Sequence, residues 1–320
     1  MLTFIIRRIL WGVLAMAIVI AITFLLFYVL PSANPAVLRA GRNASPKTIA
    51  YISAELGLDK PIYTQFWDYV KNIVLHFDLG YSYYSSASVT SLISDRLPAT
   101  ISLAVGAIVV TLAAGLPVGI ISAIKRRTFF DRASMSTALV FVSAPTYWLG
   151  LIALYLFASD IGRFKIFDSS GTYVPLTTDP GRWFGSLILP WLVLAAGSAA
   201  VYARILRGSL IDVMGEDYIR TARAKGLRER RVIMHHGVRS AITPIVTIVG
   251  LDIGALLGGA VLTETVFDIP GIGRLNYEAI TQSNFPIVQG TVLLAALFII
   301  VANIVVDIGY AYLDPRVRPT

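Results

Sequence analysis

Apolar residues in this chain gather into long, almost unbroken runs instead of alternating with polar ones. Six runs reach the roughly 17–25 helical residues needed to cross a hydrocarbon core. They are residues 9–30, 99–124, 136–158, 187–205, 241–262 and 290–313, and the first three contain no charge. Lipid offers no partner for backbone N–H and C=O groups, so each run is predicted to be helical. The expected fold class is an all-α integral membrane protein with six transmembrane helices. Arg7 and Arg8 precede the first run, and no small-residue cleavage site stands near Pro31. That run reads as a retained helix rather than a signal peptide.

The polar segments between the runs fix an orientation, because basic residues concentrate on the cytoplasmic side. With the N-terminus inside, the inner segments hold Arg7, Arg8, Lys125, Arg126, Arg127, Arg132, Arg204, Arg207, Arg220, Arg223, Lys225, Arg228, Arg230, Arg231, Arg239, Arg316 and Arg318. These are 17 of the 27 Lys and Arg, and six of the ten outer ones lie in the long loop 31–98. Loops beyond about 60 residues weigh little in this rule, so the termini are expected inside.

Composition supports the same picture. Hydrophobic residues make up 56% and charged residues 14% of 320 residues, against about 25% charged in soluble domains. The mean hydropathy is +0.71. The net charge of +8 then marks inner-side basic loops and not nucleic-acid binding. With no cysteine in the chain, disulfides, thiolate metal sites and a cysteine nucleophile are excluded. His76, His235 and His236 are the three histidines, and adjacent ones cannot share a helix face as paired ligands. No metal site or chain-bound cofactor is expected.

Two of the connecting segments carry pattern. In loop 31–98, Ser45-Pro46 suits a helix start, with Ile49, Ile52 and Leu56 at helical spacing. Pro61 opens a second predicted helix with Ile62, Phe66, Val70, Ile73 and Phe77 on one face. This insertion is either an amphipathic cap on the outer membrane surface or a docking surface for an external partner. In the inner stretch 207–240, Tyr218, Ile219, Ala222 and Leu227 are spaced like one side of a short helix, which Gly226 can end. It is either a basic loop held near anionic lipid or a helix that docks in a groove of a cytosolic partner.

At that loop the sequence resembles the inner-membrane permeases of binding-protein-dependent ABC importers, whose coupling segment has an E-A-A-x-x-x-G core. Ala222 and Gly226 match that core, while Arg220 and Thr221 replace the acid and the first alanine. The longer string Glu216-Asp217-Tyr218-Ile219-Arg220-Thr221-Ala222-Arg223-Ala224-Lys225-Gly226-Leu227 is similar to the version in dipeptide, oligopeptide and nickel permeases. His236, Arg239, Ala241 and Pro244 continue the resemblance, as do Gly258-Gly259-Ala260, Glu264-Thr265-Val266-Phe267 and Pro270-Gly271-Ile272-Gly273. So do Leu56-Gly57-Leu58-Asp59-Lys60-Pro61, Asp78-Leu79-Gly80-Tyr81-Ser82 and Arg96-Leu97-Pro98-Ala99-Thr100. The long loop after the first span resembles the B-type permease rather than its C-type partner.

The resemblance implies a type I ABC importer permease of the bacterial plasma membrane. Its parts would be an N-terminal span (1–30), an extracytoplasmic helical insertion (31–98), a five-helix core (99–313) with coupling loop 207–240, and a cytoplasmic tail (314–320). It implies a heterodimeric pore with a second, C-type permease, two cytosolic ABC ATPases gripped through the coupling helix, and an extracytoplasmic peptide-binding protein that delivers substrate. ATP and Mg would be bound by the ATPases. The chain has no G-x-x-x-x-G-K-[ST] phosphate loop, no H-E-x-x-H and no G-x-S-x-G, in line with a transport subunit that is not an enzyme. Nickel or another small solute is the alternative cargo.

Polar residues inside the runs are costly and need a role. Asp252 lies midway along the fifth, and Asn303 and Asp307 lie in the inner half of the sixth. Asp252 and Asn303 are candidates for the translocation path; the structural alternative pairs Asp252 with a group on the partner subunit. An intramembrane aspartyl protease built on Asp252 and Asp307 is a distant rival. It is disfavoured because the two stand about 16 Å and about 9 Å along their helices from the inner ends. An autonomous channel would not need the charged amphipathic loop. Pro117 and Pro145, inside the second and third runs, are expected to kink them, either as ordinary bends or as a hinge of the pore.

Overall fold

Long apolar runs become long helices here, and the bundle is organised around two of them. The computed structural model describes residues 2–29, 35–41, 44–55, 57–85 and 87–313. Its helices, in chain order, are α1 (Leu2–Phe24, continued by the π-helical turn Leu25–Val29), α2 (Pro35–Ala40), α3 (Pro46–Glu55), α4 (Ile62–His76) and α5 (Val89–Ile124). Then follow α6 (Phe129–Ser143), α7 (Thr146–Phe157), α8 (Pro180–Val213), α9 (Asp217–Ala224) and α10 (Glu229–Arg231). A π-helical stretch Val232–Val238 leads to α11 (Arg239–Ala241), α12 (Thr243–Leu257), α13 (Val261–Val266), α14 (Ile272–Thr281) and α15 (Phe285–Leu313). Strands are absent among the described residues, apart from the isolated bridges Tyr81–Ser88 and Ala158–Phe167.

Among the described residues, four helices are long and apolar enough to cross a membrane, or up to six spans if each of two bent pairs counts as one. The first, second, fourth and sixth predicted runs correspond to α1, α5, α8 and α15. The third run is not one kinked helix. It is α6 and α7 bent by 105°, because Ala144 and Pro145 adopt extended backbone (ψ 129° and 135°) and break the hydrogen-bond ladder. Pro117, by contrast, is accommodated within continuous α5, as are Pro98 there and Pro190 in α8. The fifth run is cut short: α12 ends at Leu257, and Gly259 (φ +115°) turns the chain into α13. The helix of the second run starts earlier than its apolar stretch, at Val89. Leu56 and the tail 314–320 with Arg316 and Arg318 lie outside the described residues.

The central packing is α5 against α8. Gly115 and Gly119 on α5 face Ala199 and Ala203 on α8; an added Cβ would stand 2.9 Å and 2.8 Å from their carbonyl oxygens. Small residues four apart let the two backbones approach, which is how spans associate where lipid provides no hydrophobic drive. Trp191 of α8 fills the space over Gly106 and donates its indole N–H to the Ser102 carbonyl at 3.1 Å. Local signals set the helix starts. Asp179 caps α8 by accepting from the backbone of Gly181 and Arg182, with Pro180 in the first turn. Ser45 accepts from Thr48 N ahead of α3 as expected.

The insertion packs onto the outer end of α1. Phe66 and Tyr69 of α4 meet Phe24, and Tyr69 also meets Tyr28. Buried Asn284 ties the outer end of α15 to the segment before α5, accepting from Tyr83 N at 3.2 Å and donating to Ser82 Oγ at 2.8 Å. At the inner end, Arg8 pairs with Asp307 at 3.0 Å and joins α1 to α15.

Candidate functional site

The inner loop folds into a short helix with two distinct faces. Ile219 is fully buried and Ala222 is 7% exposed; both pack on Val232, with Met214 and Leu227 closing the cluster. Met214 also belongs to the core formed by Leu206, Leu210, Ala241 and Ile245, so the small cluster continues into the membrane bundle. The opposite face presents Asp217, Arg220, Thr221 and Lys225 to solvent, and Tyr218 is 44% exposed. Tyr218 therefore belongs to the outward face and not, as the spacing suggested, with Ile219 and Ala222. Residues at 218 and 222 are four apart, but the buried stripe follows 219, 222 and the returning Leu227.

Ion pairs stiffen this unit. Arg223 makes two hydrogen bonds to Glu229 (3.1 and 2.7 Å) across the turn after α9, and they hold the Glu229 carboxyl below the ordinary glutamate range. Arg220 reaches Asp217 at 3.3 Å, and Thr221 Oγ1 donates to the Asp217 carbonyl. Exposed pairs of this kind are worth little individually, so the buried cluster is what holds α9 in place. Gly226 takes φ +75°, and its N–H donates to the Arg223 carbonyl at 2.9 Å. An added Cβ would meet nothing within 4 Å, so glycine is required by backbone conformation rather than by space. Glu216 precedes α9 as its cap position without a side-chain hydrogen bond.

In the membrane interior, Tyr202 Oη donates to Asp252 Oδ2 at 2.8 Å. A hydroxyl of this same chain thus stands where the structural alternative looked to the partner subunit. Asp307 is taken by Arg8, so the two aspartates are partnered separately instead of sharing a proton. Asn303 is half-buried on α15, which packs on α12 through Gly254 opposite Ala302 and Gly250 opposite Val306.

The outer-loop motif closes into a knot. Glu264 is fully buried. Thr100 Oγ1 donates to its Oε1 at 3.0 Å, the Arg274 N–H donates to its Oε2 at 2.8 Å, and Ile272 N–H donates to Thr100 Oγ1 at 2.8 Å. Gly271 lies against the Glu264 carboxyl with no room for a side chain, and a Cβ on Gly273 would stand 2.8 Å from Val261 N. Phe267 is buried in the core around Trp191, and Pro270 precedes the turn half-buried. Burial pushes the Glu264 carboxyl above its ordinary range, while its hydrogen bonds pull the other way. Arg274 further pairs with Asp268 and with Glu278. The segments 96–100, 258–260, 264–267 and 270–273, scattered in sequence, thus meet in one place.

This arrangement has buried polar joints linking spans, and a short helix with one buried and one polar face in the inner loop. The chain belongs to the family described as the binding-protein-dependent transport system inner membrane component. That family matches residues 115–319, and its N-terminal companion matches residues 1–104. The chain is thus a multi-pass transport permease of the inner membrane and not an enzyme. It is 42% identical over 314 residues to a peptide transport system permease protein of Brucella abortus (strain 2308), covering 98% of each chain. Against the dipeptide transport system permease protein DppB of Escherichia coli (strain K12) it is 38% identical over 341 residues, with 99% of each covered. The glutathione transport system permease protein GsiC of Escherichia coli O6:H1 (strain CFT073) is 39% identical over 318 residues, again with 99% of each covered. A chain of the inward-facing MetNI methionine ABC transporter matches in fold, with a TM-score of 0.53 at 17% identity, covering 70% of this chain and 97% of that one.

The sequence missed the Gly115-x-x-x-Gly119 and Ala199-x-x-x-Ala203 seam, although the small-residue spacing was legible there. Tyr202 and Thr100 carried no local signal as partners of Asp252 and Glu264; only the fold brings residues so far apart in the chain together.

Proposed function

We propose that this chain forms, with a second permease, the membrane path of an ATP-driven importer of short peptides. An extracytoplasmic binding protein delivers the cargo, and two cytosolic ATPases carry ATP and Mg. The observation that carries this reading is the two-faced α9: a polar outward face containing Tyr218, Arg220, Thr221 and Lys225, mounted on a buried cluster continuous with the spans. Such a helix fits a groove on a nucleotide-driven partner and passes its displacement inward as rigid-body motion. Peptide cargo is supported by the names of the relatives, whose stated substrates are peptides, a dipeptide and glutathione, itself a small peptide. Asp252 and Asn303 are assigned to the path. The test is co-purification with the products of neighbouring genes, followed by ATPase measurement in vesicles. Stimulation by a peptide-loaded binding protein supports the reading; stimulation by a nickel complex alone transfers the assignment to metal import.

A further inference from the structure

The inner loop is not the only element tied to the end of α8. Asp131, in the first turn of α6, is 3% exposed. Its Oδ1 accepts from Arg207 Nε at 2.6 Å and its Oδ2 from Arg207 Nη2 at 2.9 Å. Oδ2 also accepts the Arg127 backbone N–H at 2.8 Å. Thr128 caps α6 through Asp131 N and donates to the Lys125 carbonyl. The turn between α5 and α6 is therefore locked onto one arginine of α8. Arg207 lies between Leu206 and Leu210, both fully buried, on the continuous helix that runs to Val213 and then into α9.

Beyond this joint α6 stays packed on α8, where a Cβ on Gly197 would stand 3.8 Å from the Phe141 carbonyl, but the contact is incomplete. An open groove of about 440 Å³ runs between α5, α6 and α8, lined by Ala114 and Val118 of α5, Ser134 and Thr137 of α6, and Ala196 and Ala200 of α8. At its far end α6 breaks at Ala144-Pro145, and α7 turns through 105°. Gly150 of α7 then lies against Val266 and Phe267, where an added Cβ would stand 3.1 Å and 3.3 Å from their side chains. Those two residues follow Glu264 of the outer knot.

We infer that the Asp131–Arg207 pair is a positioning joint that carries displacement of the coupling loop from α8 through α6 and the Pro145 break to α7 and the outer Glu264 knot. A bidentate, largely buried pair holds direction as well as distance, so a shift of Arg207 must move the α6 N-terminus with it. The groove supplies the slack for α6 to swing, and the break lets α7 turn with it. The inference rests on the proposed coupling role of α9.

The test uses the assembled transporter in vesicles and reads peptide uptake per ATP hydrolysed. Asp131→Asn and Arg207→Gln are expected to lower that ratio at least tenfold while the ATPases still co-purify. The charge-reversed pair Asp131→Arg with Arg207→Asp restores the ion pair but not the acceptor for the Arg127 N–H, and is expected to raise the ratio at least threefold above either single variant; a ratio no higher than theirs overturns the inference. A purely structural pair would instead lower the amount of complex and leave the ratio unchanged; that result overturns the inference. The second arm spares the pair. Thr137→Cys and Ala196→Cys, both lining the groove and bridged across it by a cleavable bifunctional thiol reagent, should block uptake until the bridge is cut. Full uptake with the bridge in place also overturns the inference. Failure of the ATPases to co-purify with wild type would instead refute the coupling role of α9 itself, and the joint with it.

Discussion

Tyr202 donates its hydroxyl proton to Asp252 across 2.8 Å, joining the helix that leads into the inner loop to the helix that packs on α15. Tyr202 is fully buried, so its hydroxyl has no water to fall back on. Tyr202→Phe should therefore destabilise the chain by about 1–3 kcal/mol, the usual cost of leaving a buried acceptor without its donor. Asp252→Asn, which keeps an acceptor oxygen, should cost less. Thermal unfolding in detergent gives the order; equal melting of Tyr202→Phe and wild type would refute the importance of this bond.

Gly226 occupies the left-handed region with open space around it. Valine there would strain the backbone by about 1–2 kcal/mol without any steric clash. Gly226→Val is expected to insert normally in the membrane yet uncouple ATP hydrolysis from uptake, and Gly226→Asn to be milder. Uptake and hydrolysis measured together in vesicles decide this, and normal uptake by the valine variant would speak against the coupling assignment.

The α5–α8 seam tolerates no side chain. Gly119→Val would drive two methyl groups toward the Ala203 carbonyl, which stands 2.8 Å from the Cβ position. Overpacking of this kind costs about 1–3 kcal/mol. The expected outcome is a marked loss of monodisperse protein on size-exclusion chromatography, whereas a valine at Gly208, where an added Cβ meets nothing within 4 Å, should be far milder.

The outer knot should respond to pH. Burial raises the proton affinity of Glu264 in the folded state above the ordinary value of 4.5. The folded chain thus binds this proton more tightly than the unfolded chain does. Its contribution to stability is complete below pH 4.5 and is lost as pH rises through the raised value. The melting temperature of the detergent-solubilised protein is expected to fall over that interval, and Glu264→Gln should flatten the fall. Identical pH slopes in both proteins would remove Glu264 from the account.

Much of this fold was readable because lipid imposes a simple rule: where the solvent offers no hydrogen bonds, apolar length becomes helix. That rule located α1, α5, α8 and α15. It failed where the backbone is interrupted by conformation rather than by polarity. The runs 136–158 and 241–262 are as apolar as the others, but Ala144-Pro145 and Gly259 break them. The inner helix was legible from Ile219, Ala222 and Gly226. Its facing was misjudged at Tyr218, because a short helix closed by a returning loop buries a stripe that period alone does not define. The pairs Tyr202–Asp252, Thr100–Glu264 and Arg207–Asp131 join residues 50 to 164 positions apart, and no local pattern encodes such distances.

In the proposed function the outward face of α9 meets a cytosolic ATPase. The chain contains no cysteine, so a single thiol can be placed without background. Ala222 is a poor position because it faces inward; Thr221→Cys is suited to the measurement. Treated with a short thiol crosslinker in intact transporter carrying one cysteine on the ATPase surface groove, it should form a permease–ATPase adduct whose yield changes on adding ATP. Labelling of that cysteine by a membrane-impermeant reagent applied from outside, with no adduct formed, would contradict the account.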